Sequence, residues 1–255
     1  MLFANLVQAN LKTKRLGQQI EYYTRLSSTN KEAWDLNNNG AQSGAIVITD
    51  NQYKGKGRNN RDWLSTPNKS LTFSILINKT IPAELIAWIP LISSISIKKA
   101  LSNFNINIVL KWPNDLILDN KKLGGILCES KIIGNSLKKI VIGIGLNINE
   151  SIKELNQSIQ NSATSLYSKS GELYQRERIL AEILNQMEPI IDEFPKNIDF
   201  VRNNWESSCC HINKEIEFYQ GSKKMKGEFK GLGETGSAIL NIDGTDIEVI
   251  NQEII

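Results

Sequence analysis

The sequence has very few of the residues that most metal sites and nucleophilic sites use. Its 255 residues include one histidine, His211, and three cysteines, Cys128, Cys209 and Cys210. Any Ser-His or Cys-His catalytic pair would have to use His211, and three cysteines are too few for a disulfide framework. The Cys209-Cys210-His211 spacing matches no common zinc site, so we expect core or surface roles for these residues. Scarce cysteine suits a reducing compartment, and we expect a cytoplasmic protein.

Long apolar runs and a large net charge are also missing. No uninterrupted run approaches the roughly 20 apolar residues that span a bilayer, and residues 1–16 lack the apolar core and cleavage site of a signal peptide. The 30 basic and 27 acidic residues give a net charge of +3 at pH 7, too small to indicate a nucleic-acid partner. We therefore expect neither a membrane protein nor a nucleic-acid-binding protein.

Two common nucleotide-binding motifs are absent as well. The sequence contains no Gly-x-x-x-x-Gly-Lys-Ser/Thr segment, which excludes a P-loop of that type. Residues 143–148 begin like a dinucleotide fingerprint, but Ile148 occupies the third glycine position. We interpret this segment as the end of a β-strand.

Hydrophobic periodicity predicts an α+β part followed by a small all-β part. Helices are predicted for residues 29–38 (with a capping box formed by Thr29 and Glu32), from Pro82 to about Phe104, and for 175–194 and 197–206. Strands are predicted at 44–49, 70–77, 106–111, 116–118, 123–129, 140–149, 215–218, 225–229, 238–240 and 247–250. The strands cluster rather than alternate with helices, which argues against a doubly wound parallel sheet. We predict an extension at 1–20, an α+β domain at 21–207 and a β-barrel-like domain at 211–255.

The most unusual local feature is a loop that is rich in glycine and cations. Residues 52–63 read Gln-Tyr-Lys-Gly-Lys-Gly-Arg-Asn-Asn-Arg-Asp-Trp, with two glycines and four cations. Glycines let backbone N–H groups approach an anion, and the cations neutralise it, so the loop suits a phosphate or an acyl phosphate. Trp63 offers a flat face on which a base can stack. A solvated basic loop explains this segment equally well when it is taken alone.

Two further motifs follow on consecutive predicted strands. Residues 111–115 read Lys-Trp-Pro-Asn-Asp, in which Asn114 offers an amide that can read a purine edge and Asp115 a carboxylate that can hold Mg²⁺. Residues 122–127 read Lys-Leu-Gly-Gly-Ile-Leu, which places a phosphate-binding cation, Lys122, beside two small residues. A plain turn explains the first motif equally well. Together with the glycine-cation loop, the motifs indicate an enzyme that handles an adenylated or phosphorylated small molecule.

These segments, in this order, resemble those of the biotin–protein ligases (biotin–[acetyl-CoA-carboxylase] ligases). The resemblance is carried by residues 26–30, 52–63, 111–115, 121–129 and 143–149. Its most specific part is Lys-Trp-Pro-Asn-Asp followed closely by Lys-Leu-Gly-Gly-Ile-Leu. The resemblance implies an α+β class II synthetase-like catalytic domain with a mixed or antiparallel sheet. It also implies that residues 211–255, which follow Trp205, form an SH3-like β-barrel.

The resemblance further implies the chemistry and the partners. Biotin and Mg·ATP would react to give biotinyl-5′-AMP and pyrophosphate, and the biotinyl group would then pass to a lysine of the apo biotin carboxyl carrier protein. Both a monomer and a homodimer are compatible with the sequence. Some family members carry an N-terminal helix-turn-helix domain and repress biotin genes. Because about 20 residues precede the ligase motifs here, we expect no repressor role.

Site residues follow from the resemblance, position by position. It implies that biotin is bound by Ser28, Thr29, Asn30, Gln52, Gly55, Lys56, Gly57, Arg58, Lys122 and Gly125. It implies that ATP is bound by Lys56, Arg58, Trp63, Asn114, Lys122 and Asn147. The implied catalytic residues are Lys122, Arg58 and Asp115, and Asp115 is also the implied Mg²⁺ ligand.

Two positions depart from the family loop, which commonly reads Gly-Arg-Gly-Arg-x-Gly-Arg. Lys56 replaces the first arginine and Asn60 replaces the later glycine. Lysine keeps the charge but cannot form a bidentate contact, and asparagine tolerates a positive φ better than most residues. Two other hypotheses stay open: a lipoate-type ligase, and a catalytically inactive biotin sensor or carrier-binding scaffold. The presence of Lys122, Asp115 and Arg58 argues against the second.

Overall fold

The computed structural model describes residues 1–220, 223–250, 252 and 254, with only the backbone described at Asn60 and Gln220. Within these ranges, the helices are α1 (Ala4–Ala9), α2 (Thr29–Asn38), α3 (Trp88–Ser102), α4 (Leu166–Ser170), α5 (Arg176–Glu193) and α6 (Ile198–Glu206). Short 3₁₀ turns lie at Arg58–Asn60, Ala83–Ala87 and Ile152–Glu154. The helices that the periodicity predicts at 29–38, 175–194 and 197–206 are thus present within one or two residues.

The strands form one large mixed sheet, one small antiparallel sheet and a two-stranded ribbon. They are β1 (Ile20–Tyr23), β2 (Ile46–Thr49), β3 (Gly55–Lys56), β4 (Asp62–Trp63), β5 (Leu71–Pro82), β6 (Val109–Lys111), β7 (Asp115–Leu118), β8 (Lys121–Ile133), β9 (Ser136–Leu146), β10 (Glu215–Gln220), β11 (Lys223–Leu232), β12 (Ala238–Ile242) and β13 (Thr245–Val249). The large sheet has the order β1-β2-β5-β9-β8-β7-β6, and only β1 and β2 are parallel. This mixed α+β architecture is the predicted fold class.

The β7–β8 hairpin shows why the sequence folds as it does around the predicted site. Asp119 and Asn120 connect the strands with φ values of 49° and 61°. Two consecutive residues with positive φ match the twist of antiparallel strands, and Asp and Asn tolerate this conformation best after glycine. The tight turn brings Asp115 directly opposite Gly125, so the two motifs of the sequence become neighbours.

Two helix starts differ from the sequence prediction. The side chain of Ser28, not Thr29, caps α2 by accepting a hydrogen bond from the Lys31 N–H at 3.5 Å. Thr29 is the first helical residue, and its hydroxyl contacts Gln52 and Ser74 rather than capping the helix. Pro82 ends strand β5 rather than starting the next helix, and Trp88 is the first residue of α3.

Segment Ala83–Ser102 is long and apolar enough, by length and composition alone, to cross a membrane. Ser93, Ser94 and Ser96 interrupt the apolar residues of this segment, so the sequence shows no continuous apolar run here. In the structure 61% of its most apolar window is buried. The hydroxyl groups of these serines donate to carbonyl groups within the same helix, for example Ser93 to Ile89 at 2.8 Å. This burial is that of a core helix packed between the sheet and α5.

The N-terminal segment, for which the sequence shows no periodicity, packs on the main domain. The buried carboxylate of Glu188 on α5 accepts the backbone N–H groups of Lys14, Arg15 and Leu16 at 2.6, 2.9 and 2.7 Å. Burial alone would raise the pKa of Glu188. The three hydrogen bonds have the larger combined effect in the opposite direction, so the pKa of Glu188 lies below its ordinary value. A carboxylate on a distant helix therefore orders a segment without local signals.

Strands β10–β13 form an antiparallel meander, and Ile254 adds a bridge to Phe218 on β10. This arrangement agrees with an SH3-like domain. Two tryptophans of the larger part donate their indole N–H groups to its loop: Trp88 to the carbonyl of Glu234 at 2.9 Å and Trp112 to that of Gly236 at 3.4 Å. A loop of the small sheet is therefore hydrogen-bonded to Trp112, which directly precedes Pro113 and Asn114.

Candidate functional site

One cavity of about 490 Å³ lies on the face of the large sheet that α2 and the glycine-cation loop cover. Its walls include nearly every residue that the sequence predicts for the site. These are Ser28, Thr29, Asn30, Gln52, Lys56, Gly57, Arg58, Trp63, Asn114, Asp115, Lys122, Gly125 and Asn147. Gly55 is the one predicted residue that does not line it. Segments far apart in sequence therefore converge on one site.

The floor of the cavity is a row of residues that crosses four strands. Thr72 lies opposite Gly145, Gly145 opposite Gly125, and Gly125 opposite Asp115. Directly paired residues place their side chains on the same face of a sheet. Because the two central positions are glycines, no side chain of the sheet rises there, and the Trp63 indole packs directly on Gly145. The three atoms nearest to a Cβ atom built on Gly125 belong to Lys122 and Asp115, at 3.5–3.6 Å, which is ordinary van der Waals contact. The close approach of biotin to Gly125 stays a prediction.

One end of the cavity is a buried cluster of uncharged polar groups. The backbone N–H and hydroxyl of Thr29 donate to Gln52 Oε1 at 2.8 and 3.2 Å. Ser74 Oγ lies 2.8 Å from Thr29 Oγ1 and 2.6 Å from Asn30 Oδ1. Asn30 Nδ2 donates to the Leu127 carbonyl at 3.3 Å. These contacts fix the orientation of three predicted biotin-binding side chains, and Ser74 is a supporting residue that the sequence did not reveal.

The other end of the cavity is cationic. Strands β3 and β4 pair Lys56 with Asp62 and Gly55 with Trp63, so the loop is a small hairpin and not an irregular segment. Lys56 and Arg58 line the cavity, and Arg58 Nη1 donates to Asn114 Oδ1 at 3.4 Å. Cations at this end suit an anionic part of a ligand.

A glycine at position 55 is explained by packing within the protein, whereas the sequence predicts a contact with biotin. A Cβ atom there would lie 2.4 Å from Gln52 Nε2 and 2.6 Å from the Trp63 carbonyl oxygen. The glycine therefore allows the hairpin to pack on Gln52, and no contact with a ligand is needed to explain it. In the same loop Asn59 has a φ of 54°. The predicted effect of the Asn60 side chain lies outside the described residues.

Lys122 and Asp115 form an ion pair across the β7–β8 hairpin. Their Nζ and Oδ1 atoms are 2.6 Å apart, and the two side chains are 42% and 25% exposed. The lysine backbone is fixed by a short parallel bridge to the segment near Ala163, with hydrogen bonds of 2.8 and 2.9 Å. The ammonium group is thus held at the cationic end, with donors still available for an anion.

Asn114 already has partners for both polar atoms of its side chain. Besides accepting from Arg58, it donates through Nδ2 to the Ile126 carbonyl at 2.7 Å, and Ile126 N–H donates back to the Asn114 carbonyl at 3.1 Å. These contacts tie the turn that follows the cis Trp112–Pro113 peptide to strand β8. The predicted contact with adenine stays a prediction.

Three buried polar atoms on the cavity wall have no hydrogen-bond partner in the described part of the chain. They are Trp63 Nε1, Thr72 Oγ1 and Asn147 Oδ1. The Trp63 indole lies over Gly145, where a Cβ atom would come within 2.3 Å of it. Native proteins rarely leave buried polar atoms unpaired, so this cluster of one donor, one hydroxyl and one acceptor favours a polar ligand at this point.

Sequence reasoning missed several residues of the wall. Thr72, Gly143 and Gly145 belong to strands whose side-chain direction depends on the register of the sheet, although the alternation of glycine in 143–145 was a usable signal. A Cβ atom on Gly143 would lie 2.2 Å from Asn30 Oδ1. Ile159, Ser162 and Ala163 also line the cavity and carry no motif or periodicity that could have revealed them.

The structure does not form a resident metal centre in its described part, where no group of three or more His, Cys, Asp or Glu side chains could hold an ion. The carboxylate of Asp115 is available on the cavity wall but is paired with Lys122. A Mg²⁺ ion commonly uses one or two carboxylates, several waters and substrate phosphates. The residues present therefore fit a metal that arrives with a nucleotide.

His211 is buried, Cys209 packs against the core while partly buried, and Cys210 is partly buried. His211 Nε2 accepts a hydrogen bond from Trp112 N–H at 3.4 Å, and its ring meets that of Phe229 edge-on at 4.6 Å. Burial, with a smaller effect of nearby lysines, lowers the pKa of His211 to about 4. Burial also raises the pKa of Cys209 to about 12. Neither group is a reactive nucleophile or base at neutral pH.

Comparison with protein families gives a match for residues 22–147. This stretch matches the model of the "Biotin/lipoate A/B protein ligase family". The matched range begins within β1 and ends just after β9, so it contains the whole sheet that carries the cavity except Ile20 and Glu21.

Individual proteins match over most of the chain. It is 29% identical over 252 residues to "Bifunctional ligase/repressor BirA" of Bacillus subtilis, covering 95% of this chain and 78% of that protein. It is 26% identical over 227 residues to "Biotin--[acetyl-CoA-carboxylase] ligase" of Paracoccus denitrificans, covering 85% and 91%. The structure of "Biotin protein ligase from Aquifex aeolicus in complex with biotin and ATP" superposes with a TM-score of 0.79 at 28% identity, covering 93% and 98% of the two chains.

Proposed function

Because this chain belongs to the Biotin/lipoate A/B protein ligase family, we propose that it is a biotin–protein ligase. The proposed enzyme activates biotin with ATP and transfers the biotinyl group to a lysine of a carrier protein.

One observation carries this proposal: a single cavity joins a buried, uncharged hydrogen-bonding end to a cationic end. The first end contains Thr29, Asn30 and Gln52, and the second contains Arg58, Lys122 and Asp115. Lys56 is a further cation on the cavity wall. The ureido ring of biotin is neutral and needs both donors and acceptors, whereas its valerate carboxylate and the ATP phosphates are anionic. The cavity therefore matches biotin in one orientation, with its carboxylate toward the cations.

In the first step, a carboxylate oxygen of biotin attacks the α-phosphorus of ATP. An O–P bond forms, the bond from the α-phosphorus to the bridging oxygen breaks, and pyrophosphate leaves with that electron pair. Lys122 is placed to stabilise the charge that develops on the α-phosphate, and Lys56 and Arg58 to hold the adjacent phosphates. Positioning of two anions and neutralisation of their charge supply the catalysis, so the reaction needs no histidine.

Mg²⁺ is proposed as part of the Mg·ATP substrate, with Asp115 as the residue that orients it or orients Lys122. Trp63 is proposed to stack on adenine, and Asn147 to bind it through the unpaired Oδ1 atom. These assignments rest on the resemblance of the motifs and on the unpaired polar atoms of the wall.

In the second step, the amine of an acceptor lysine attacks the acyl carbon of biotinyl-5′-AMP. The C–N bond forms, the C–O bond to the phosphate breaks, the amine loses a proton and AMP leaves. The name of the Paracoccus denitrificans relative supports a biotin carboxyl carrier domain of acetyl-CoA carboxylase, or of a related carboxylase, as the acceptor.

A lipoate-type ligase is the second candidate, because the family model includes both activities. The buried cluster of Thr29, Gln52, Ser74 and Asn30 favours biotin, since the dithiolane ring of lipoate has no N–H or C=O groups to pair with it.

The decisive experiment is biotin-dependent exchange of labelled pyrophosphate into ATP by the purified protein, because it needs no carrier. Exchange with biotin and not with lipoate is the expected result. Exchange with lipoate alone would replace the proposal with the second candidate. Transfer to an apo carrier domain, with a carrier in which the acceptor lysine is changed to arginine as the control, then tests the second step.

The absence of a repressor role stays a prediction, which a biotin-dependent DNA mobility assay tests.

A further inference from the structure

We propose that Arg176 is a positioning residue that fixes both ends of the ligand loop, which we define as residues 51–69. The ligand loop contains Gln52, the β3–β4 hairpin and Trp63. The proposal deepens the proposed function, on which its kinetic test rests: Arg176 places Lys56 and Arg58 for adenylate formation without touching the substrate.

The two ends of the ligand loop meet at one guanidinium group. Arg176 is the first residue of α5. Its Nη2 donates to Asp50 Oδ1 at 2.8 Å, and its Nη1 donates to the backbone carbonyl of Ser70 at 2.9 Å. Asp50 directly precedes the loop and Ser70 directly follows it. The loop therefore begins and ends on the same side chain.

Additional contacts hold Asp50 in place. The Tyr22 hydroxyl donates to Asp50 Oδ2 at 2.6 Å, and the Asn68 N–H donates to the Asp50 carbonyl at 2.9 Å. Arg176 and Asp50 are only 6% and 4% exposed at their side chains. Burial raises the pKa of Asp50, but the Tyr22 hydrogen bond and the Arg176 charge outweigh this and lower it. Asp50 therefore stays ionised in the folded protein.

Ser70 is held from its side chain as well. Its hydroxyl donates to the buried carboxylate of Glu150 and accepts the Thr66 N–H at 2.8 Å. Burial raises the pKa of Glu150, although the Ser70 hydrogen bond and the Arg176 charge oppose this effect. Asp50 and Glu150 are acidic groups that face this region; Arg176 lies between them, and the N-terminal ammonium group of Met1 lies 3.7 Å from Asp50 Oδ2.

The loop has few apolar contacts of its own to fix its position. Among the residues of the loop whose burial is described, only Gln52 and Gly55 are buried. A loop with little buried surface opens readily, so its fixed ends help to place Lys56 and Arg58, together with the contacts of Gln52 with Thr29 and of Arg58 with Asn114. An arginine is suited to this task because its planar guanidinium donates in two directions at once, whereas a lysine ammonium is a point charge.

Arg176 does not itself line the cavity. It is therefore a positioning residue, and its removal should affect substrate affinity through the loop. This separates it from Lys122, which lies on the cavity wall and is assigned to the chemistry.

The test compares Arg176→Lys with Arg178→Lys, a matched change on an exposed position of the same helix. We expect Arg176→Lys to raise the KM values for biotin and ATP in pyrophosphate exchange at least fivefold, with a smaller change in kcat. We also expect faster amide hydrogen exchange in residues 51–69, with β5 and β9 unchanged. Arg178→Lys should match the wild type in both measurements.

Wild-type kinetics and wild-type loop protection in Arg176→Lys and in Arg176→Met would overturn the proposal. Faster exchange spread evenly over β5 and β9 would overturn it too, because Arg176 would then act on the whole fold. Asp50→Asn, which keeps the shape of the side chain, must reproduce the loop effect. If the wild type shows no biotin-dependent exchange, the proposed function fails, while hydrogen exchange still tests the role of Arg176.

Discussion

Lys122 Nζ lies 2.6 Å from Asp115 Oδ1, and Gly125 leaves the space beside this ion pair empty. The pair joins the ends of the two most specific motifs of the sequence, which the β7–β8 hairpin brings together. A cation held by a carboxylate at the edge of a cavity keeps its position before a substrate arrives. This preorganisation is the basis of the first prediction.

Lys122→Ala should lower the rate of biotin-dependent pyrophosphate exchange by about 100-fold or more, since loss of one preorganised charge donor costs about 10²–10³ in rate. Asp115→Asn should give a smaller loss, because the lysine keeps its charge but loses its anchor. Lys121→Ala is the matched control, as Lys121 is adjacent in sequence but does not line the cavity. A Lys122→Ala enzyme with wild-type rates would contradict the phosphate role.

Lys56→Ala should weaken adenylate formation, because a cation is removed from the end of the cavity assigned to phosphate. The effect should appear mainly as a higher KM for ATP. Lys54→Ala removes the same charge from an exposed position of the same loop that does not line the cavity. Equal effects of the two substitutions would mean that only the general charge of the loop matters.

Gly143→Ala should weaken biotin binding at least tenfold and destabilise the fold by about 1–3 kcal/mol, the usual cost of overpacking. The added Cβ atom would lie 2.2 Å from Asn30 Oδ1, so Asn30 must leave its hydrogen bonds with Ser74 and Leu127. Adding Asn30→Ala to this variant removes the clash. The double variant should therefore regain melting temperature but not biotin affinity, as measured by thermal unfolding and calorimetry.

His211 should make the fold sensitive to mild acid. Its pKa is lowered from 6.5 to about 4, so between these values the unfolded chain binds a proton that the folded protein does not. Stability is therefore retained above about pH 6.5 and lost as the pH falls toward 4. From pH 7 to pH 5 the loss from this group is about 2 kcal/mol.

Urea unfolding at pH 7 and pH 5 measures this effect. His211→Gln should remove the His211 part of the pH dependence, so the change in free energy of unfolding between the two pH values should be smaller than in the wild type. The same change in both proteins would show that His211 titrates normally in the folded state.

Element types were accessible from the sequence where the signal is local. The spacing of apolar residues predicted α5 and α6, and the strand signals on both sides of an Asp119-Asn120-Lys121-Lys122 turn predicted β7 and β8. In the structure the turn is shorter, because β8 already begins at Lys121. Segments without a local pattern were missed: α1 forms, and the chain after it is ordered by Glu188 on α5. Strand β1 is fixed by parallel pairing with β2. Contacts over such sequence distances leave no periodicity that could be read in advance.

The sequence by itself determined which chemical groups are available, in which order, and which hairpins hold them, because turn residues and side-chain alternation act over a few positions. Only the tertiary structure decided how these groups meet. The register of β5, β9, β8 and β7 places Thr72, Gly145, Gly125 and Asp115 in one row. The start of α5 brings Arg176 to both ends of the ligand loop. Sheet register and helix packing are set by burial of the whole core, so no local segment encodes them.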